Sequence, residues 1–245
     1  MAKPKKDADR RARIEAIRRE AERAERRRTL MVVLACALVA VVIIAVTGSA
    51  LLTRDDEATA ATAGSLAASA SAKAAGCGDV VFSGAEGAGD HRPTGTPIDY
   101  PGPPAFGPHW DVPADFARKF YTNEDRPAVE QIVHNLEHGY TILWYDSTVA
   151  DDPEALGKVQ DIAAQFEGSQ DLTAKFIAAP WTSEDGEAFP EGTHVALTHW
   201  SAEGESAVAG QGQGDSLYCE QPDEQVVTDF MAAFPYSDSL EPAGG

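Results

Sequence analysis

The chain has 245 residues, 43% of them hydrophobic, with 20 Lys+Arg against 39 Asp+Glu for a net charge of −19. That acidity argues against nucleic acid or other anionic polymers as partners, and the length exceeds what one small domain needs. The charge is divided: residues 1–28 hold 12 basic and 6 acidic side chains (+6), residues 53–245 hold 8 and 33 (−25), and +6 − 25 gives the −19.

The first segment, residues 1–28, reads as a basic helix. Asp9 and Arg13, Glu15 and Arg19, and Glu22 and Arg26 are spaced i, i+4 with the acid first, the favourable order. Its apolar stripe of Ile14, Ile17, Ala21 and Ala24 is too thin for a core. Either the segment lies against anionic lipid heads, each basic residue adding about 1 kcal/mol, or it is only a topology signal.

Residues 29–52, TLMVVLACALVAVVIIAVTGSALL, carry no charge. As a helix they extend ~36 Å, enough to cross a ~30 Å hydrocarbon layer. A single transmembrane helix is therefore expected, with the basic flank cytoplasmic and the acidic bulk extracytoplasmic. A cleaved signal peptide is the competing reading, against which stand the long basic head and the long apolar run. Residues 53–76 are rich in Ala, Ser and Thr, lack aromatic residues, and are expected to be a flexible linker reaching ~27 Å, with a poorly packed alanine helix as the alternative.

Cys36 falls inside the span, whereas Cys77 and Cys219 fall beyond it, where oxidising conditions let them form a disulfide, with free or intermolecular thiols as the alternative. Between them the pattern predicts a mixed domain over 77–235, followed by a flexible tail, 236–245. A strand is expected near 78–84, an irregular Gly/Pro-rich stretch to 108, and helical turns in DVPADFARKFYT. NEDRPAVEQIVHNLEHG reads as a helix capped by Asp125, with Pro127 in its first turn and Gly139 as its stop. YTILWYD, KFIAAPW and HVALTHW read as strands; DPEALGKVQDIAAQFEG and DEQVVTDFMAAF read as amphipathic helices. The fold class is thus α+β, a mixed sheet covered by helices.

In a helix His134 and His138 project from one face, where two imidazoles can share an ion. His109, in the stiff GPHW loop, is available as a third. Three imidazoles suit zinc or copper, with Asn135 or Glu137 orienting them from behind. Other readings stay open. His138 can serve the helix C-terminus, and His134 and His109 can be packed structural residues. Residues 134–138 also spell H-x-x-E-H, the zinc-peptidase pattern in which Glu137 is the base. Against this, Gly139 cuts the helix short and no clear third-ligand glutamate follows, Asp215 being a nominal substitute in a Gly-rich loop. His194 and His199, five apart in one strand, point to opposite faces. His91 sits in a polar loop, and the four tryptophans read as core.

Three stretches, YPGPPAFGPHW (100–110), VHNLEHG (133–139) and VALTHW (195–200), resemble domain-of-unknown-function family 3105. The resemblance covers roughly 77–235, with Ala105 and Phe106 standing where the family pattern has small polar residues. It implies a bacterial domain held outside the membrane by a single N-terminal span, and names no reaction. The expectation is a single-pass membrane protein with a metal or small-ligand site at His109, His134 and His138. The alternatives are a cell-envelope module that binds a protein partner without metal, and a metallopeptidase.

Overall fold

The computed structural model describes residues 63–244. The basic head, the predicted span at 29–52 and the first part of the linker lie outside the described residues, and among those described no helix is long and apolar enough to cross a membrane.

The described chain is α+β. Its elements are, in order, α1 (Ala63–Leu66), α2 (Ala70–Ala74), β1 (Val81–Gly84), β2 (His91–Arg92), β3 (His109–Trp110), α3 (Val129–Glu137), β4 (Thr141–Tyr145), α4 (Ser147–Ala150), α5 (Pro153–Ala164), β5 (Phe176–Pro180), β6 (Val195–Ser201), β7 (Gln213–Cys219) and α6 (Glu224–Ala233). Five strands form one sheet in the order β1-β7-β6-β4-β5. Strands β4 and β5 run parallel, joined by the crossover through α4 and α5, and the other pairings are antiparallel.

Alternation along the strands divides the interior into two cores. Leu143, Tyr145, Phe176, Ala178, Val195 and Leu197 face α1, α2, α5 and α6. Ile142, Trp144, Ile177, Ala179, Ala196 and Trp200 face α3 and the long segment leading to it. With both faces covered, the central strands carry almost uninterrupted apolar sequence, which is why they are legible. Asp152 and Asp223 cap α5 and α6 by accepting from backbone amides in the first turns.

Four expectations need correction. DVPADFARKFYT is not helical: Phe120 bridges to Ala178, and the Ala178 amide donates to the Lys119 carbonyl at 2.8 Å, so the segment extends the sheet beyond β5. Residues 213–219 are strand rather than Gly-rich loop, and Asp215 is wholly buried there, accepting from Ser201 and Gln213. Part of the alanine-rich stretch, 63–76, is folded: Leu66, Ala72 and Ala75 are buried in the first core, because small side chains let these helices lie close to α6. The tail is also held, since Lys175 Nζ donates to the carbonyls of Pro242 and Gly244 at 3.1 and 2.6 Å.

Cys77 and Cys219 form a disulfide, S–S 2.05 Å. It fastens the α1–α2 segment to the end of β7, where the Glu220 amide also donates to the Ala75 carbonyl at 3.0 Å. Closing a loop of roughly 140 residues stabilises by about 5 kcal/mol at most in the chain-entropy picture. Denaturant unfolding of a Cys77→Ser, Cys219→Ser chain should show a loss of a few kcal/mol, and an unchanged midpoint would refute this assignment of the staple.

Candidate metal centre

The site lies on the second face, between α3 and the segment 85–115. Helix α3 begins without the predicted cap. Ala128 occupies the N-cap position, and Asp125 instead closes the preceding turn, accepting from the Thr122 amide at 2.7 Å and pairing with Arg118. The predicted stop is present. Gly139 has φ +90°, and its amide donates to the Leu136 carbonyl at 2.9 Å. A Cβ there would also run into the Tyr236 carbonyl, so the position requires glycine twice over. Gly139→Ala should cost about 1 kcal/mol or more and loosen the 236–244 segment, read as faster amide exchange at Glu241.

The last turn of α3 is buried on nearly every side because 85–115 covers the face that the core does not. Asn135 makes that cover fast: its Oδ1 accepts from the Ala114 amide at 2.9 Å and its Nδ2 donates to the Ala114 carbonyl at 3.1 Å. It therefore pins the loop rather than orienting an imidazole. Strands β2 and β3 pair in parallel with His91 opposite His109, which sets their rings 4.8 Å apart.

Four residues converge. His91, His109, His134 and Glu137 each offer a donor atom, all within 4.8 Å of one another. His109 Nδ1 donates to the Gly107 carbonyl at 2.8 Å and His134 Nδ1 to the Trp110 carbonyl at 2.6 Å, because a carbonyl can only accept. Both Nε2 atoms are thereby turned inward. Glu137 Oε1 accepts from the Gly89 amide at 2.6 Å, and Oε2 lies 3.1 Å from His109 Nε2 and 3.4 Å from His91 Nε2. Donors ~2 Å from a tetrahedral zinc sit ~3.3 Å apart, which those two separations match.

His138 stands at the margin of this group. Its Nε2 is 2.8 Å from His134 Nε2, and its Nδ1 donates to the Glu241 carbonyl at 3.3 Å. Thus the structure brings His109 and His134 together as the sequence suggested, sets His138 beside them, moves Glu137 among the donors, and adds His91. The His91 position escaped sequence reasoning because its relation to His109 is cross-strand, with no local spacing to betray it. His194 and His199 lie elsewhere, the first paired with Asp146 at 2.8 Å and the second buried beneath Tyr140. Trp144, Trp181 and Trp200 are core.

Burial sets the charge of the group. It pushes His134 down to about 4, helped by the neighbouring histidines and opposed by the Trp110 carbonyl. It also lowers His138, against the pull of Glu241. Burial alone would raise the Glu137 carboxyl, but the bonds from His109 and Gly89 outweigh it and hold the group ionised.

Comparison with known families places the chain: the family described as "Protein of unknown function (DUF3105)" matches residues 91–244, and the chain belongs to it. Neither the curated proteins nor the solved structures contain a match.

The low value for His134 has a thermodynamic consequence. The folded metal-free chain takes up that proton only near pH 4, whereas an unfolded histidine does so near 6.5, so between those values the unfolded chain binds more protons. Stability should therefore fall as pH drops from about 6.5 to 4. Buried Asp215, raised to about 6 by desolvation, works in the opposite direction. The melting temperature of metal-free His134→Gln should depend less steeply on pH in this window than that of the native chain.

Proposed function

We propose that this domain binds one first-row metal ion, zinc or copper, through His91, His109, His134 and Glu137, with His138 as a neighbouring imidazole. The observation that carries the reading is the donor inventory. Each of three imidazoles, His109, His134 and His138, commits its Nδ1–H to a backbone carbonyl. Their Nε2 atoms meet at short range: His109 Nε2 lies 3.1 Å from the Glu137 carboxylate, and His134 Nε2 lies 2.8 Å from His138 Nε2. A proton on one Nε2 closes either pair as a hydrogen bond, and a divalent cation among the four donor atoms, all within 4.8 Å of one another, would take up the same lone pairs. Burial disfavours a charged His134 or His138, which supports the cation at that end of the group. The carbonyls behind the rings are the outer partners that commonly fix the tautomer of metal-bound histidine.

The same proposal holds the domain outside a membrane on a single span at 29–52, with the N-terminus cytoplasmic. The charge division and the Cys77–Cys219 disulfide, a feature of oxidising compartments, support that placement. Protease added to intact cells should digest the region beyond the span and spare the basic head; the reverse pattern would overturn the topology.

The full chain, purified in detergent without a histidine tag, should carry about one ion by elemental analysis. Affinity should fall in His109→Ala and His134→Ala by more than the roughly 10- to 100-fold typical of losing an outer partner. It should also weaken as pH falls, because protons compete for the same lone pairs. A metal-free chain that gains no zinc or copper on titration would leave the cluster as a structural, hydrogen-bonded one, the envelope-module alternative.

A further inference from the structure

The four donors are unequal. His109, His134 and Glu137 are 0%, 6% and 1% exposed, and each is held from behind by a hydrogen bond to backbone. The His91 side chain is 38% exposed. Among the described residues nothing hydrogen-bonds its Nδ1. It stands on a two-residue strand whose only ladder partner is β3, and both residues of that strand are exposed. Its ring nevertheless reaches 3.4 Å from Glu137 Oε2 and packs 4.9 Å from His134.

From this asymmetry we infer that His91 is the exchangeable ligand through which the ion is loaded and released, the other three forming a buried half-site that keeps its shape throughout. The inference rests on the metal-binding reading and specifies how that site is used. An incoming ion still bearing water or a carrier's ligand meets His91 first, because among the four donors it is the exposed one. Its remaining ligands are then replaced one at a time by His109, His134 and Glu137. Release runs in reverse: the His91–metal bond breaks and a donor atom from the acceptor takes the vacated position, so coordination number is preserved and no redox change is needed. Three donors positioned by backbone hydrogen bonds need no rearrangement during either step, whereas a ring with a free Nδ1 can swing aside. The −25 carried by residues 53–245 raises the local concentration of cations around such a door. The ion is thus placed to be handed to an acceptor that offers imidazole, carboxylate or thiolate donors, rather than locked in as a structural strut.

The test uses the full chain loaded with zinc, or with cobalt as a spectroscopic probe, and a colorimetric chelator as acceptor. His91→Ala should still hold one ion per chain but transfer it at least tenfold faster than the native protein, since water now fills the labile position. Added imidazole should slow that transfer and restore the native cobalt spectrum. His109→Ala should lose the ion altogether. If His91→Ala empties as completely as His109→Ala, or if its transfer rate and cobalt spectrum equal those of the native chain, the exchange role is overturned while metal binding stands. If the native chain holds no ion, the metal-binding reading itself fails and the exchange role with it.

Discussion

Backbone carbonyls govern this site. By accepting from the Nδ1 atoms of His109, His134 and His138, the carbonyls of Gly107, Trp110 and Glu241 fix three rings so that their Nε2 atoms turn inward. A free imidazole can hide its lone pair by flipping, but these cannot without abandoning the bond to the carbonyl. The second face is arranged around that constraint. Asn135 ties the covering loop to α3 at Ala114, the Tyr100 hydroxyl donates to the Pro108 carbonyl beside His109 at 2.6 Å, and Trp200 packs edge-on against the His109 ring.

Stability and chemistry are carried by opposite faces of one sheet. The disulfide and four helices secure the first core, while the second core is sealed by one helix and an irregular segment. Because strands β4 and β6 send alternate side chains to each side, rigidity gained on the first face is transmitted to the platform under the second. A covering segment with little regular structure of its own can then hold ligands accurately, as its turns are fixed from beneath.

Legibility in the sequence followed the range of the interaction. Strands β4, β5 and β6 and helices α5 and α6 were readable because their periodicity is local, and His134 with His138 because i, i+4 spacing is local. His91 was not, since only the ladder pairing of two-residue strands brings it to His109. Strand β7 was hidden by Gly214 within it and Gly212 just before it, which make the stretch read as a glycine-rich loop. The end of the chain has no pattern of its own; its order comes from the buried ammonium of Lys175, which donates to carbonyls of His138, Pro242 and Gly244, and from the Glu241 amide, which donates to the Glu137 carbonyl at 3.0 Å. Asp125 carried the right chemistry for a cap but spent it one turn early, on Thr122.

The H-x-x-E-H spelling can be weighed on the same terms. A general base must keep a carboxylate oxygen free to take a proton from a metal-bound water. Here Glu137 Oε1 is committed to the Gly89 amide and Oε2 faces two imidazoles, in a side chain that is 1% exposed. In the proposed site its position is that of a donor, where the carboxylate would contribute negative charge beside the imidazoles. With an ion bound as proposed, four protein donors would fill a tetrahedral shell, and hydrolysis would require one of them to leave first. Under the proposed metal binding, Glu137 is therefore better placed as a ligand than as a general base.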